Sequence, residues 1–296
     1  ELICLWNPLS ETGGAKPLNS VNLIPGLIRQ YDVNAYSIQQ AGANASQELA
    51  FALSLGHEYL IRQIKEGVSV DQALVNIHFT LGVGSNYLIE VAKFRAFRVL
   101  WAKIAKAYAP NHSCNELAAI TAKTGFLNKS LKDPNTNILR QTTEAMSAVL
   151  GGVNQLHIQP FDKESKQEGS ELAQRMATNI SLVLKEESYL HHVLDAVGGS
   201  YAIEEMTSKL SKKSWEKFQE MEREAGVYGE KWINEIKETA STRVDQLLSG
   251  ERTLIGVNRF ESPAESALEW NLERQSYFGL PQLILEQESI KVPKNS

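Results

Sequence analysis

The side chains able to do chemistry are few and lie in short stretches. In VNAYSIQQAGANASQELAF (residues 33–51) a phenol, a hydroxyl and two amides, Tyr36, Ser37, Gln39 and Gln40, fall within five positions before a Gly-containing turn and a helix. Such a cluster is a reaction site, the remains of one, or a solvated loop. The histidines form no ligand set. His191 and His192 are adjacent, so on a helix they point about 100° apart and cannot hold a metal as an i, i+4 pair would; a surface or capping role is expected. His157, mid-strand, reads as a satisfied core imidazole, and His57 and His78 read as helical residues without a partner in sequence. Gly82-Val83-Gly84 has part of a dinucleotide loop but lacks the third glycine and, on this reading, a preceding strand. Glu144, one step off the apolar face of its helix, reads as a surface carboxylate. Cys4 and Cys114 are too few for a disulfide framework or a Cys-based zinc site, so no metal is expected.

These residues need elements to hold them. The apolar run at 2–6, stopped by Pro8 and Gly13-Gly14, reads as a strand; 23–30 suggests a short helix and 32–36 a second strand. Over 46–66 the apolar positions Leu49, Leu53, Gly56, Leu60 and Ile64 recur at spacings of 4, 3, 4 and 4, the stripe of a helix on a core, and Gly67 ends it. Residues 71–79 and 85–108 repeat the helical pattern up to Pro110. A third strand is expected at 117–121, leading into Lys123-Thr124-Gly125. Asp133 as N-cap with Pro134 behind it opens a helix whose Ile138, Thr142, Ala145 and Val149 share a face, stopped by Gly151-Gly152. A fourth strand at 155–158 is cut by Pro160. The rest reads as helices at 170–189, 203–225 and 229–248, a capping box at Ser262-Pro263-Ala264-Glu265, and a loose tail after Gln287.

Strand and helix thus alternate four times before residue 190, which argues parallel strands with crossover helices, an α/β sheet or barrel. Four units make half of an eight-stranded barrel and leave two open edges. Residues 1–190 are therefore expected to hold βα units and 191–296 a helical segment and tail. Ligands of such a fold bind at the C-terminal ends of its strands. The ends expected here, 7–9, 36–40, 122–125 and 159–162, contain no histidine and only two charged side chains, Lys123 and Asp162.

Composition excludes some partners. With 43% hydrophobic, 22% charged and 8% aromatic residues, the 296-residue chain is an ordinary globular one. A net charge of -5 leaves no basic surplus for nucleic acid. No uncharged apolar run approaches the ~18 residues that span a bilayer, so no membrane is expected, and two lone thiols fit a reducing cytosol or matrix. The chain starts at Glu1 and its first methionine is Met146, so a fragment or processed chain is expected.

From AYSIQQAGANASQELAFALSLGHEYL onward the sequence resembles the methylmalonyl-CoA mutase family, the adenosylcobalamin-dependent acyl-CoA mutases. GVGSNYLIEVAKFRAFRVLWAKI, TNILRQTTEAMSAVLGGVNQLHIQPFD, NISLVLKEESYLHHVLDAVGGSYAIEEMT and TLIGVNRF look like further family blocks, so the likeness covers residues 33–260. The resemblance implies the second half of a (β/α)8 TIM-type barrel that binds acyl-CoA along its axis, followed by a helical linker. Catalytic members read Tyr-His-x-Gln-Glu where this chain has Tyr36, Ser37, Ile38, Gln39 and Gln40. Serine there cannot carry positive charge near neutral pH as imidazole can. Asn76 and His78 stand at positions of a CoA-holding Arg and Ser, and Ala122 stands where a Gln contacts substrate. Gly125 and the adenosyl-contacting Glu144 match. The Asp-x-His-x-x-Gly motif that binds cobalt is absent from the sequence.

By resemblance, then, no catalytic set is intact: Tyr36, Ser37 and Gln39 outline a degenerate pocket, Gln40, Gly125 and Glu144 are the cofactor-side positions, and Asn76, His78 and Ala122 the substrate-side ones. The implied role is the small, non-catalytic subunit of a heterodimeric methylmalonyl-CoA mutase, which interconverts methylmalonyl-CoA and succinyl-CoA. It would pair with a catalytic subunit in the cytoplasm or mitochondrial matrix, with adenosylcobalamin and acyl-CoA belonging to the complex and not to this chain. The alternatives are an active mutase of another acyl-CoA and a non-enzymatic mutase-binding protein.

Overall fold

The computed structural model describes residues 31–166, 169–261, 268–271 and 276–290. The expected strand at 2–6, helix at 23–30 and capping box at 262–265 lie outside the described residues. Among these, β1 (Tyr31–Asn34), β2 (Ile77–Val83), β3 (Ile120–Thr124) and β4 (Gln155–His157) form a parallel sheet in the order β1-β2-β3-β4. Between them run α1 (Tyr36–Gln40), α2 (Ala45–Lys65), α3 (Val70–Val75), α4 (Tyr87–Ala107) and α5 (Thr136–Leu150). Parallel neighbours joined in sequence need crossovers of one hand, which puts the helices on one face. On that face Tyr31, Val33, Ile77, Phe79, Leu81, Val83, Ile120 and Ala122 join a core with α2 and α4. The alternate residues Asp32, Asn34, His78, Thr80, Thr121 and Lys123 lie on the other face.

Local chemistry sets the elements. Asn44 caps α2: its Oδ1 accepts from Gln47 N at 3.1 Å while Gln47 Oε1 accepts from Asn44 N at 2.9 Å. Gly56 lets α2 approach the sheet, since a Cβ there would lie 2.8 Å from the Phe79 ring and 2.9 Å from Trp101. Phe79 packs edge-on against Phe97 and Trp101, with centroids 4.7 and 4.6 Å away.

Several expectations are corrected. The helical reading of 71–79 holds only to Val75; His78 lies in a strand, because Ile-His-Phe-Thr-Leu-Gly-Val alternates between the two faces of a sheet. Gly82 and Val83 are therefore the last residues of that strand and Gly84 follows it, although the third glycine is still missing. β3 begins three residues later than expected, and Tyr36 opens a helix instead of ending a strand. The helix at α5 begins at Thr136 with Asn135 as N-cap, while Asp133 accepts the Thr136 N–H at 3.4 Å from one residue pair earlier. Residues 285–290, expected loose from 287 on, form a helix.

After β4 come α6 (Glu171–Leu182, extended by a π-helical turn at Val183–Glu187), α7 (Tyr201–Arg223) and α8 (Lys231–Leu248), then a hairpin of β5 (Ser276–Tyr277) and β6 (Leu280–Pro281) and α9 (Leu285–Ile290). Phe218, Met221, Trp232, Ile236 and Phe278 share the core of α2 and α4. A polar lock reinforces this seam: Glu222 on α7 accepts from Ser54 Oγ at 2.6 Å and pairs with His57 Nδ1 at 2.9 Å, while His57 Nε2 meets Tyr108 OH at 2.8 Å. Among the described residues no helix is long and apolar enough to cross a membrane.

Candidate functional site

The polar face of the sheet is a connected surface. Register sets Asp32 beside His78, Thr80 beside Thr121, and Lys123 beside His157. Thr80 Oγ1 donates to Asp32 Oδ1 at 2.8 Å. Thr121 Oγ1 donates to Gln155 Oε1 at 3.0 Å and lies 2.8 Å from His78 Nε2. A hydroxyl has one proton to give, so His78 Nε2 is the donor in that contact. Burial pushes the Asp32 carboxyl up to about 6, against the pull of Thr80 and Lys123. Burial pushes the Lys123 ammonium down, with Lys163 adding to it.

At the C-terminal strand ends the expected cluster assembles. Ser37 N donates to Asn34 Oδ1 at 3.1 Å, which starts α1. Tyr36 OH accepts from Gln159 Nε2 at 2.7 Å, and Lys123 Nζ sits 4.4 Å from the centre of the Tyr36 ring, a cation–π contact. Burial raises the Tyr36 phenol above its ordinary value. Gln39 packs over Gly82, where a Cβ would meet its Oε1 at 2.6 Å. Gln40 bridges the loop: Oε1 accepts from Phe126 N at 2.7 Å and Leu127 N at 3.3 Å, and Nε2 donates to Gln39 Oε1. Gly125 must be glycine for this, because a Cβ would lie 1.8 Å from Gln40 Nε2.

Glu144 is not the surface carboxylate its flanking sequence suggests; it is 2% exposed. The reason is Lys129, whose Nζ lies 2.6 and 2.8 Å from its two oxygens, with Asn128 Nδ2 donating at 2.9 Å. Burial raises the Glu144 pKa and lowers that of Lys129, yet each carries its partner's charge beside it. A second buried set joins the β2 end to its neighbours. Lys93 Nζ bonds Glu48 Oε2 at 2.8 Å, Glu90 Oε2 at 2.5 Å and Gly82 O at 2.7 Å, and burial pushes Glu48 up to about 7.

Other expected residues lie apart from the cluster. Asn76 is at the opposite, N-terminal end of β2, donating to Gln63 Oε1 at 2.9 Å and accepting from Gln72 Nε2 at 2.8 Å. Ala122 faces the helix-side core, not the polar face. His157 is exposed on edge strand β4, not a core imidazole. Asp162 is buried and accepts from Ser170 N at 3.2 Å. His191 and His192 are exposed, their rings 4.4 Å apart. Asp32 and Thr80 were missed by sequence reasoning although their i, i+2 alternation with buried residues carried the signal; Lys129, a lone loop lysine, carried none.

Beyond the cluster opens a cleft of about 550 Å³ lined by Gln39, Asn44, Tyr87, Asn128, Arg243 and Arg252, among others. An adjoining chamber of about 160 Å³ reaches Glu144 and Arg140. The charged carboxylates at this end are held by lysines within the chain. The arrangement can hold a polar ligand.

The methylmalonyl-CoA mutase family model matches residues 27–277. A methylmalonyl-CoA mutase of Cereibacter sphaeroides is 33% identical over 242 residues, 80% of this chain and 34% of that protein. A methylmalonyl-CoA mutase small subunit of Porphyromonas gingivalis is 35% identical over 251 residues, 81% of this chain and 39% of that one. A methylmalonyl-CoA mutase large subunit of Propionibacterium freudenreichii subsp. shermanii is 33% identical over 241 residues, 80% of this chain and 33% of that one. The chain thus spans about a third of the length of the curated relatives it matches. With a match of that extent, spanning every strand of the sheet, the chain belongs to the methylmalonyl-CoA mutase family.

Proposed function

We propose that this chain is part of the small, non-catalytic subunit of a heterodimeric methylmalonyl-CoA mutase, supporting a catalytic chain that interconverts methylmalonyl-CoA and succinyl-CoA. The observation that carries the reading is the engagement of Gln40: its amide is spent on Phe126 N, Leu127 N and Gln39 at the position where the family resemblance places a cofactor-contacting carboxylate. Glu144, the matching carboxylate, is likewise spent on Lys129 and Asn128. These residues do not fit adenosylcobalamin. The cofactor belongs to the partner, and no reaction step is assigned to this chain.

On this reading residues 1–190 supply four βα units of the second half of a (β/α)8 barrel and 191–296 the helical segment that follows. Sequential strand order, helices on one face and polar side chains on the other support it. Asn76, His78 and Ala122 are then substrate-side positions whose chemistry has been lost. The exposed apolar side chains Tyr189, Val193 and Leu194 between α6 and α7, with Tyr201 at the start of α7, suit a surface covered by a partner chain. A cytoplasmic or mitochondrial-matrix location goes with the activity.

The test is a titration of adenosylcobalamin onto the full-length chain, with mutase assays of the chain alone and with a co-expressed longer mutase chain. No tight cofactor binding, no activity alone, and co-purification with the longer chain are expected. Micromolar cofactor binding with turnover by the isolated chain would overturn the proposal.

A further inference from the structure

The cleft at the strand ends is lined by Glu48 and Glu90, which share the Lys93 ammonium, and by two guanidiniums outside that set. Two guanidiniums, Arg243 on α8 and Arg252 in the loop after it, line it, and among the described residues neither has a carboxylate within ion-pair distance. Arg243 is tied to backbone oxygens, Nε to Gly42 O at 2.9 Å and a terminal nitrogen to Ala43 O at 3.1 Å. Burial and then the charge of Arg252 push Arg243 down to about 10; Glu90 and Glu48 act in the opposite sense, but both are already bonded to Lys93. Arg252 Nε is buried without a hydrogen-bond partner. Its backbone is fixed at the cleft, with its N–H on Gln246 O at 2.7 Å and its carbonyl accepting from Asn258 Nδ2 at 2.7 Å.

Two like charges at the wall of one cleft, one of them with an unmet donor, are unfavourable in the absence of an anion. Guanidinium forks match phosphate and carboxylate geometry, and a pair of them suits a dianion better than a single negative charge. The rest of the lining is mixed. Asn44, Ser85 and Asn128 offer hydrogen bonds, and Ile89, Leu127 and Leu285 offer an apolar wall. At about 550 Å³ the cleft falls within the usual range for small-molecule sites and is roomier than a bare phosphate needs.

We propose that this cleft binds a phosphate monoester with a ring-sized body, its phosphate held between Arg243 and Arg252 and its body against Ile89, Leu127 and Leu285. The inference is independent of whether the chain is catalytic. It assigns Arg252 to ligand binding at a stability cost in the empty protein.

The experiment is calorimetric titration of the full-length protein and of Arg252→Gln with inorganic phosphate and with AMP as probes, alongside thermal melts without ligand. AMP should bind at least tenfold more tightly than phosphate, Arg252→Gln should lose at least tenfold in AMP affinity, and its ligand-free melting temperature should equal or exceed that of the parent. Absence of AMP binding, equal affinity in the variant, or equal affinity for phosphate and AMP would each overturn the proposal. A ligand-free variant melting below the parent would also overturn it, by making Arg252 a structural part of the loop.

Discussion

Gln40 and Gly125 interlock between the first and third strand ends: a Cβ on Gly125 would fall 1.8 Å from Gln40 Nε2. The amide that forbids that Cβ also accepts the Phe126 and Leu127 N–H groups, so one side chain closes the loop after β3 and fixes the end of α1. Gln40 is structural at a place where the family resemblance implies a ligand contact.

Gly125→Ala should therefore be costly beyond its one methyl. Displacing Gln40 adds the strain of overpacking to two buried N–H groups losing their acceptor, about 2–4 kcal/mol together. Urea unfolding of the single variants and of Gly125→Ala with Gln40→Ser checks this. The second change makes room, so the double variant should be more stable than the two single effects added, with a coupling of about 1 kcal/mol or more. Strict additivity would show that the two residues do not interlock.

Lys129→Met should destabilise the protein by about 3–5 kcal/mol, because it strands the buried Glu144 carboxylate without its cation. Adding Glu144→Gln should recover most of that loss, since Asn128 can still donate to the amide oxygen. Chemical unfolding at pH 7 of the single and double variants reads both numbers. A small effect of Lys129→Met alone would place Glu144 in contact with water.

The seam between the sheet helices and α7 is open to the same treatment. Glu222→Ala removes the acceptor of Ser54, which is buried, and the partner of His57. A loss of about 1–3 kcal/mol is expected. Faster amide exchange in α7 with unchanged exchange in β2 would locate the effect at the seam.

The long helices were legible because their stripes recur over about four turns, as from Leu49 to Ile64 in α2. β2 was not, because α3 ends only two residues before Ile77 and the helical pattern of 71–75 runs into it. The cluster at Tyr36–Gln40 was found through its polar composition, but its meaning was set by contacts no local pattern encodes. Gln40 meets residues 86 and 87 positions away, and Glu144 is buried by a lysine 15 positions away. A helical period of 3.6 says which face a residue occupies; it does not say that a loop lysine will fold over the next face.

The polar face makes stability depend on pH through Asp32. Its carboxyl is raised to about 6 in the fold, from 3.8, chiefly by burial, so the folded protein holds this proton more tightly than the unfolded chain. The penalty for ionising it is absent below about pH 4, grows between pH 4 and 6, and is complete above that; two pKa units correspond to about 3 kcal/mol. Asp32→Asn keeps an oxygen for the Thr80 hydroxyl and removes the charge. The variant should match the parent at pH 4 and be up to about 3 kcal/mol more stable at pH 7.5, a figure that already contains the opposing attraction of Lys123. Urea titrations at the two pH values check it. A variant less stable than the parent at pH 7.5 would mean that the Lys123 attraction outweighs burial, and that the polar face holds its charges as a pair.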